Sequence, residues 1–193
     1  MGETGIGDHA IRSSMEDLIM PGRTLIAAAA LTLAMVGAGF AQTAAPSDPQ
    51  IAHIAYTAVQ LDIAAAEQAI NKSQNQEIID FANQMAADHK AVNDQALALV
   101  GKLGVTPEDN PTSQALSKAA ADKMAELEKL EGAAFDKAYI DNEVAYHHTV
   151  NGALSTLLIP SAQNAELKSL LETGLTLFTE HEHHAEMVAA KFR

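Results

Sequence analysis

The chain contains no cysteine and no tryptophan, and only 4% of its 193 residues are aromatic. Without cysteine there is no disulfide, no thiolate metal site and no lipid-modified N-terminal cysteine. Cysteine nucleophiles are excluded as well, and no serine stands in a recognisable strand-to-helix elbow, so hydrolase chemistry has no footing. Positive charge is also scarce: 12 Lys and Arg against 25 Asp and Glu leave a net charge of −13. That balance argues against nucleic acid or an anionic membrane surface as a partner. What is abundant is alanine, within a composition that is 48% hydrophobic. Runs of β-branched residues are rare and no useful strand alternation occurs, so the chain reads as all-α. Any metal would have to rest on imidazole and carboxylate ligands, a donor set suited to iron, manganese, zinc or copper.

Residues 1–19 fit nothing that follows and read as an over-extended translation start. Met20 opens a different segment, with a lone Arg23, an apolar run from Leu25 to Phe40, and Gly39-Phe40-Ala41 as a small-x-small cleavage site. This is the layout of a secretory signal peptide over 20–41. The run is short and Ala/Gly-rich for a membrane span, which needs about 20 apolar residues. The expectation is therefore an exported, periplasmic protein with no stable membrane insertion after cleavage. A Ser/Pro/Ala linker follows over 42–49, and one domain occupies 50–192.

Within that domain the apolar residues recur at steps of three and four, the mark of amphipathic helices. The first helix is expected at about Gln50–Lys72, capped by Asp48-Pro49. Its two candidate stripes are Ile51, Ile54, Ala58, Leu61, Ala65 and Tyr56, Val59, Ile63, Glu67, Ile70. Ser73 is a plausible cap for the second, about Gln76–Leu103, with the stripe Ile78, Phe81, Met85, His89, Val92, Ala96, Leu99. A shorter charged helix covers about Gln114–Leu130. A third long helix follows Gly132 and runs to about Ile159, where Pro160 is expected to stop it. Its stripe is Ile140, Glu143, His147, Val150, Leu154, Leu157. The last helix is about Asn164–Lys191, with Leu167, Leu170, Gly174, Leu177, His181, His184, Val188.

Four long helices joined by a tight, a long and a tight connection have the connectivity of a ferritin-like four-helix bundle. The long crossover, between helices two and three, carries the extra short helix. At a rise of 1.5 Å per residue, that topology puts His89 and His147 in one layer and turns His181 toward Glu143. Tyr56 and Gln60 are expected near the His89 layer. Glu67, Asp136 and His184 adjoin it, and Asp88 stands beside His89. A buried carboxylate such as Glu143 must be paired, protonated or bound to a cation. The candidate metal ligands are thus His89, His147, His181, Glu143, Glu67, Asp88, Asp136 and His184. Imidazoles more than about 8 Å apart would rule the site out, since nitrogen–metal bonds are about 2.0–2.1 Å.

The spacing does not reproduce a di-iron centre. That site takes a Glu from each of two helices and Glu-x-x-His from each of the others. Here helix three carries Glu143 and His147 four apart, and helix two offers Asp88-His89. A non-enzymatic reading stands beside the metal site: the same residues form a closed polar network in a structural or interaction protein. A redox enzyme ranks below both. The metal, the oligomeric state and any substrate are left open by these patterns.

The segments FANQMAADHKAVND (Phe81–Asp94) and LEGAAFDKAYIDNEVAYHHTV (Leu130–Val150), followed by His181-x-x-x-Ala185, resemble the exported bacterial domain of unknown function 4142. Its members are often labelled outer-membrane proteins and are regarded as ferritin-like. The resemblance covers about 50–192 and rests on Met85-x-x-Asp88-His89 and Phe135-Asp136-x-x-Tyr139. By position it implies recurring roles for Asp88, His89, Asp136, Tyr139, His147 and His181, and none for His183 or His184. The chain lacks β-barrel patterning, so the outer-membrane label finds no support in it. The family lends no activity. The reading is an exported bundle that holds a transition metal for buffering or envelope-stress protection, with the structural bundle as the alternative.

Overall fold

Polar residues between the apolar stretches set the helix ends. The computed structural model describes residues 45–192; the start and signal segments read at 1–19 and 20–41 lie outside the described residues. Among the described residues every regular element is helical: α1 (Asp48–Lys72), α2 (Gln76–Leu103), α3 (Pro111–Leu127), α4 (Gly132–Ala153), a π-helical turn (Leu154–Leu158), α5 (Ile159–Ser161), α6 (Ala165–Ala189) and a 3-10 turn (Ala190–Phe192). None is long and apolar enough to cross a membrane.

Three asparagines cap three of these helices, each offering its side-chain oxygen to amides that have no partner in the first turn. Asn75 accepts from the amide of Glu77, Asn110 from Thr112 and Ser113, and Asn164 from Glu166 and Leu167. Ser73, expected to cap α2, instead accepts from the amide of Asn75 and donates its hydroxyl to Asp136 at 2.6 Å. α2 ends at Gly104, whose φ of 63° is the left-handed conformation that glycine adopts without a steric penalty.

Pro160 does not stop the third long helix. The helix widens first: the amide of Ile159 reaches back five residues to the carbonyl of Leu154, and Pro160 then sits inside α5. A residue without an N–H is tolerated where the ladder has already shifted register. The chain turns only at Ala162, which is extended.

Two apolar clusters share the interior. One joins Ala65, Ala66 and Ala69 of α1 to Ile78, Phe81 and Met85 of α2, Phe135, Tyr139 and Ile140 of α4, and Ala185 and Val188 of α6. The other joins the opposite ends: Ile51 and Ile54, Leu154 and Leu158, Leu167, Leu171 and Phe178, with Val92 and Leu99 packed against them. The starts of α2 and α4 therefore lie together with the ends of α1 and α6. α2 and α4 run parallel, and α1 and α6 run against them.

The long link makes that direction possible. Its loop begins at the amide of Glu108, which donates to the carbonyl of Pro49 at 3.0 Å, near the start of α1. α3 then follows α1 to its far end, where Gln68 donates to the carbonyl of Met124 and Lys72 to that of Glu128. Asp48 ties the second short link, accepting from the amides of Gln163 and Asn164 at 2.8 and 2.9 Å.

Asn110 both caps α3 and donates to the carbonyls of Glu108 and Gln50. Asn110→Ala should cost about 1–2 kcal/mol. In a thermal melt that is a Tm lower by roughly 2–6 °C for a domain of this size; an unchanged melt would show that the cap does not hold the crossover.

Candidate metal centre

Between the two apolar clusters lies a polar layer to which four helices contribute. Asp62 comes from α1, His89 from α2, Glu143 and His147 from α4, and His181 from α6, and all five side chains are buried. Ring nitrogens of His89, His147 and His181 lie within 4.8 Å of one another, as do ligand atoms of Asp62, Glu143 and His147. Nε2 of His89 is 3.4 Å from Nε2 of His147. Two nitrogens bound to one tetrahedral ion at 2.0–2.1 Å stand about 3.4 Å apart. Oδ2 of Asp62 is 2.5 Å from Nε2 of His89 and 3.7 Å from that of His147.

The hydrogen bonds around this layer select the tautomers. Nδ1 of His147 lies 3.0 Å from the carbonyl oxygen of Glu143, which can only accept, so Nδ1 carries the hydrogen and Nε2 points its lone pair at Asp62 and His89. Nε2 of His181 donates to Oδ2 of Asp88 at 3.1 Å, leaving Nδ1 as the lone-pair nitrogen; that atom has no hydrogen-bond partner. An outer carbonyl or carboxylate that fixes the far nitrogen is the usual companion of a metal-bound histidine.

The carboxylates remain under-satisfied. Neither oxygen of Glu143 has a hydrogen-bond partner, and Asp62 makes its close contact with His89 without the alignment of a formed hydrogen bond. The Tyr139 hydroxyl and Nδ1 of His89 are buried and unpaired too. Several orphaned polar atoms in one layer are costly unless a cation or proton serves them.

Charge is divided unequally. Burial pushes Asp62 up, but the close contact and charge of His89 and the charge of His147 outweigh it, so its carboxyl titrates below the usual range. Glu143 is pushed well up by burial and by Asp62. Asp62 is thus the ionised member and Glu143 the protonated one. Burial lowers His147, with Asp62 opposing and His89 adding; burial also lowers His181, to about 4, aided by His89 and opposed by Asp88. Tyr139 is raised by burial and by both carboxylates.

Of the residues singled out from sequence, His89, His147, His181 and Glu143 meet in this layer, and Asp88 stands behind His181. Glu67 is exposed on the outer face of α1. Asp136 is buried away from the layer, paired with Ser73 at the α1–α2 turn. His184 packs edge-on against Phe81, their ring centres 5.1 Å apart. Asp62 takes the place expected for Tyr56 and Gln60. It was legible in principle, because Ile51, Ile54, Ala58, Asp62, Ala65 and Ala69 form one three-and-four file. The alanines on every side of α1 blurred which file faced inward.

The family model described as domain of unknown function (DUF4142) matches residues 34–188. The chain belongs to that family. No curated protein and no solved structure matches it. Membership of DUF4142 carries no activity, so what the layer can do rests on its own chemistry. Buried histidine, aspartate and glutamate groups here can hold a metal ion.

The shifts set a pH profile for the chelator-treated protein. Unfolded histidines titrate near 6.5 while His181 titrates near 4 in the fold and His147 is also lowered, so their contribution is full above pH 6.5 and is lost as pH falls toward 4. Glu143 has the opposite sign: it holds a proton that the unfolded chain releases above about 4.5, so its contribution is lost as pH rises. Two histidines against one glutamate leave a net loss of at most about 1.4 kcal/mol per pH unit on acidification. Urea unfolding should therefore show a stability maximum near pH 6.5. In Glu143→Gln the alkaline decline should disappear; a decline that persists would mean that another group carries it.

Proposed function

We propose that this DUF4142 protein is an exported, ferritin-like four-helix bundle that holds one transition-metal ion on His89, His147 and His181, with Asp62 as the charged partner and Glu143 beside it. One observation carries the reading: three imidazoles from three helices and an ionised carboxylate from a fourth converge with atoms unpaired. The ferritin-like description rests on α1, α2, α4 and α6 as the long helices, with α2 and α4 parallel across the α3 connection. A set of three imidazoles and one or two carboxylates suits iron, manganese, zinc or copper.

All five side chains of the layer are buried and the space beside His89 and His147 is mainly apolar, which suits storage or buffering of an ion better than turnover of a polar substrate. Export is read from the segment at 20–41, and envelope-stress protection follows as the physiological setting. The charge of −13 speaks against a nucleic-acid partner.

The second reading is a closed polar network in a structural or interaction bundle, favoured by the 2.5 Å approach of Asp62 to His89, which is short enough for an ion pair on its own. Elemental analysis separates the two, using protein purified from its own compartment without a tag or chelator. The expected result is stoichiometric metal, lost in a His89→Ala/His147→Ala double variant that keeps its helical circular dichroism. Asp88→Ala should weaken binding by about 10–100-fold through the orientation of His181. No metal, together with failed reconstitution by all four ions, overturns the metal reading and leaves the network.

A further inference from the structure

The half of the interior beyond the histidines, toward the start of α1, encloses a cavity of about 330 Å³. Its walls come from α1, α2, α4 and α6, with Leu116 of α3 and Pro107 of the crossover loop on one side. About two thirds of the lining is aliphatic, and His53, Tyr56, Tyr146 and Thr149 also border it. Leu97, which is 49% exposed, belongs to it, so the cavity meets solvent beside that residue. The volume is near the lower end of the roughly 300–1,000 Å³ of small-molecule sites.

Where the cavity meets the histidine layer stand His89, His147 and, one helical turn past His89, Asn93. Elsewhere on the wall Tyr146 donates its hydroxyl to the carbonyl of Ala58, and Nδ1 of His53 has no hydrogen-bond partner. Asn93 is 3% exposed, and neither its Nδ2 nor its Oδ1 has a hydrogen-bond partner. A buried amide left with a donor and an acceptor unused is costly, and an aliphatic cavity gives it nothing to bond. It sits in the inward file of α2, where the neighbouring buried residues are Met85 and His89.

The chemistry of Asn93 selects the ligand. A hydroxyl can accept from Nδ2 and donate to Oδ1 together, whereas a carboxylate can only accept and leaves Oδ1 unpaired. An anionic head would also enter a chain that already carries a net charge of −13. We propose that the cavity binds a neutral apolar small molecule with a single hydroxyl head, the hydroxyl on Asn93 and the hydrocarbon body toward Leu97. This site is separate from the proposed metal ligands, although His89 and His147 border both.

The test is calorimetric titration of the full chain with n-octanol and with n-octanoate at neutral pH, before and after chelator treatment. Saturable binding of n-octanol is expected in both preparations, with n-octanoate about tenfold weaker or more. Asn93→Leu, which keeps the side-chain size, should weaken n-octanol by about tenfold. Ala153→Phe, which places a ring in the cavity, should abolish binding while the protein stays folded. Absence of saturable n-octanol binding to the wild-type chain, equal affinity for the carboxylate, or unchanged affinity in Asn93→Leu each overturn the proposal. A chain that holds no metal as purified and takes none on reconstitution, yet binds n-octanol, would refute the metal reading alone; metal without n-octanol binding would refute this one alone.

Discussion

Two carboxylates, Asp62 at 2% and Glu143 at 0% exposure, lie between two apolar clusters without the hydroxyl partner that Ser73 gives the third buried one, Asp136. Neither can be ionised there without a compensating charge. Glu143 answers by keeping its proton, and Asp62 by facing the imidazoles of His89 and His147. Because these groups come from α1, α2 and α4, with His181 of α6 alongside, sliding any long helix by one turn would strand a charge. Alanine-rich faces such as that of α1 resist sliding poorly by themselves, since small side chains interlock weakly. The polar layer therefore works as a register pin, the best-attested use of buried polar groups.

The layer also divides the interior into halves of different character. On the side of the α1–α2 turn, Phe81, Phe135 and Tyr139 pack ring against ring, with centres 6.2–6.3 Å apart, and the alanines of α1 close over them. On the other side buried Ile, Val and Leu such as Ile54, Val59, Leu154 and Leu171 are joined by half-buried ones such as Val92, Leu99 and Val150, and there the cavity lies. The half with the cavity leaves space against the rings of His89 and His147. Phe178 bridges the two regimes, stacking on His89 at 4.8 Å between ring centres.

Much of this was legible because each histidine breaks an otherwise apolar file, and a break of that kind is conspicuous in a leucine- or isoleucine-bearing helix. The bounds of α2 were read without error, since polar residues precede it and Gly104 follows it. Asp62 was missed for the complementary reason: α1 has alanine on several files, so apolar periodicity could not choose the inward one, and Glu67 was assigned a face that points to solvent. Asn93 was passed over for Val92, one residue earlier in the file. Side-chain hydrophobicity favours Val92, but the helix phase set by Ile78, Met85 and His89 turns Asn93 inward. Pro160 misled because the rule that it ends a helix assumes an unshifted ladder, and the π-helical turn before it shifts that ladder.

The electrostatics of the layer link both readings of it. Two carboxylates need two positive charges: without metal a proton on Glu143 supplies one, and Asp62 faces the imidazoles of His89 and His147. A single divalent cation supplies the same two charges at the same place. On the proposed metal reading, binding would exchange the proton of Glu143 for a cation. Such an exchange would tighten metal binding as pH rises and release the ion on acidification, with Glu143 as the group whose proton competes most directly. On that reading a carboxyl kept protonated at neutral pH would give up some affinity in return for reversibility, which is the property a buffer needs and a permanent structural metal site does not.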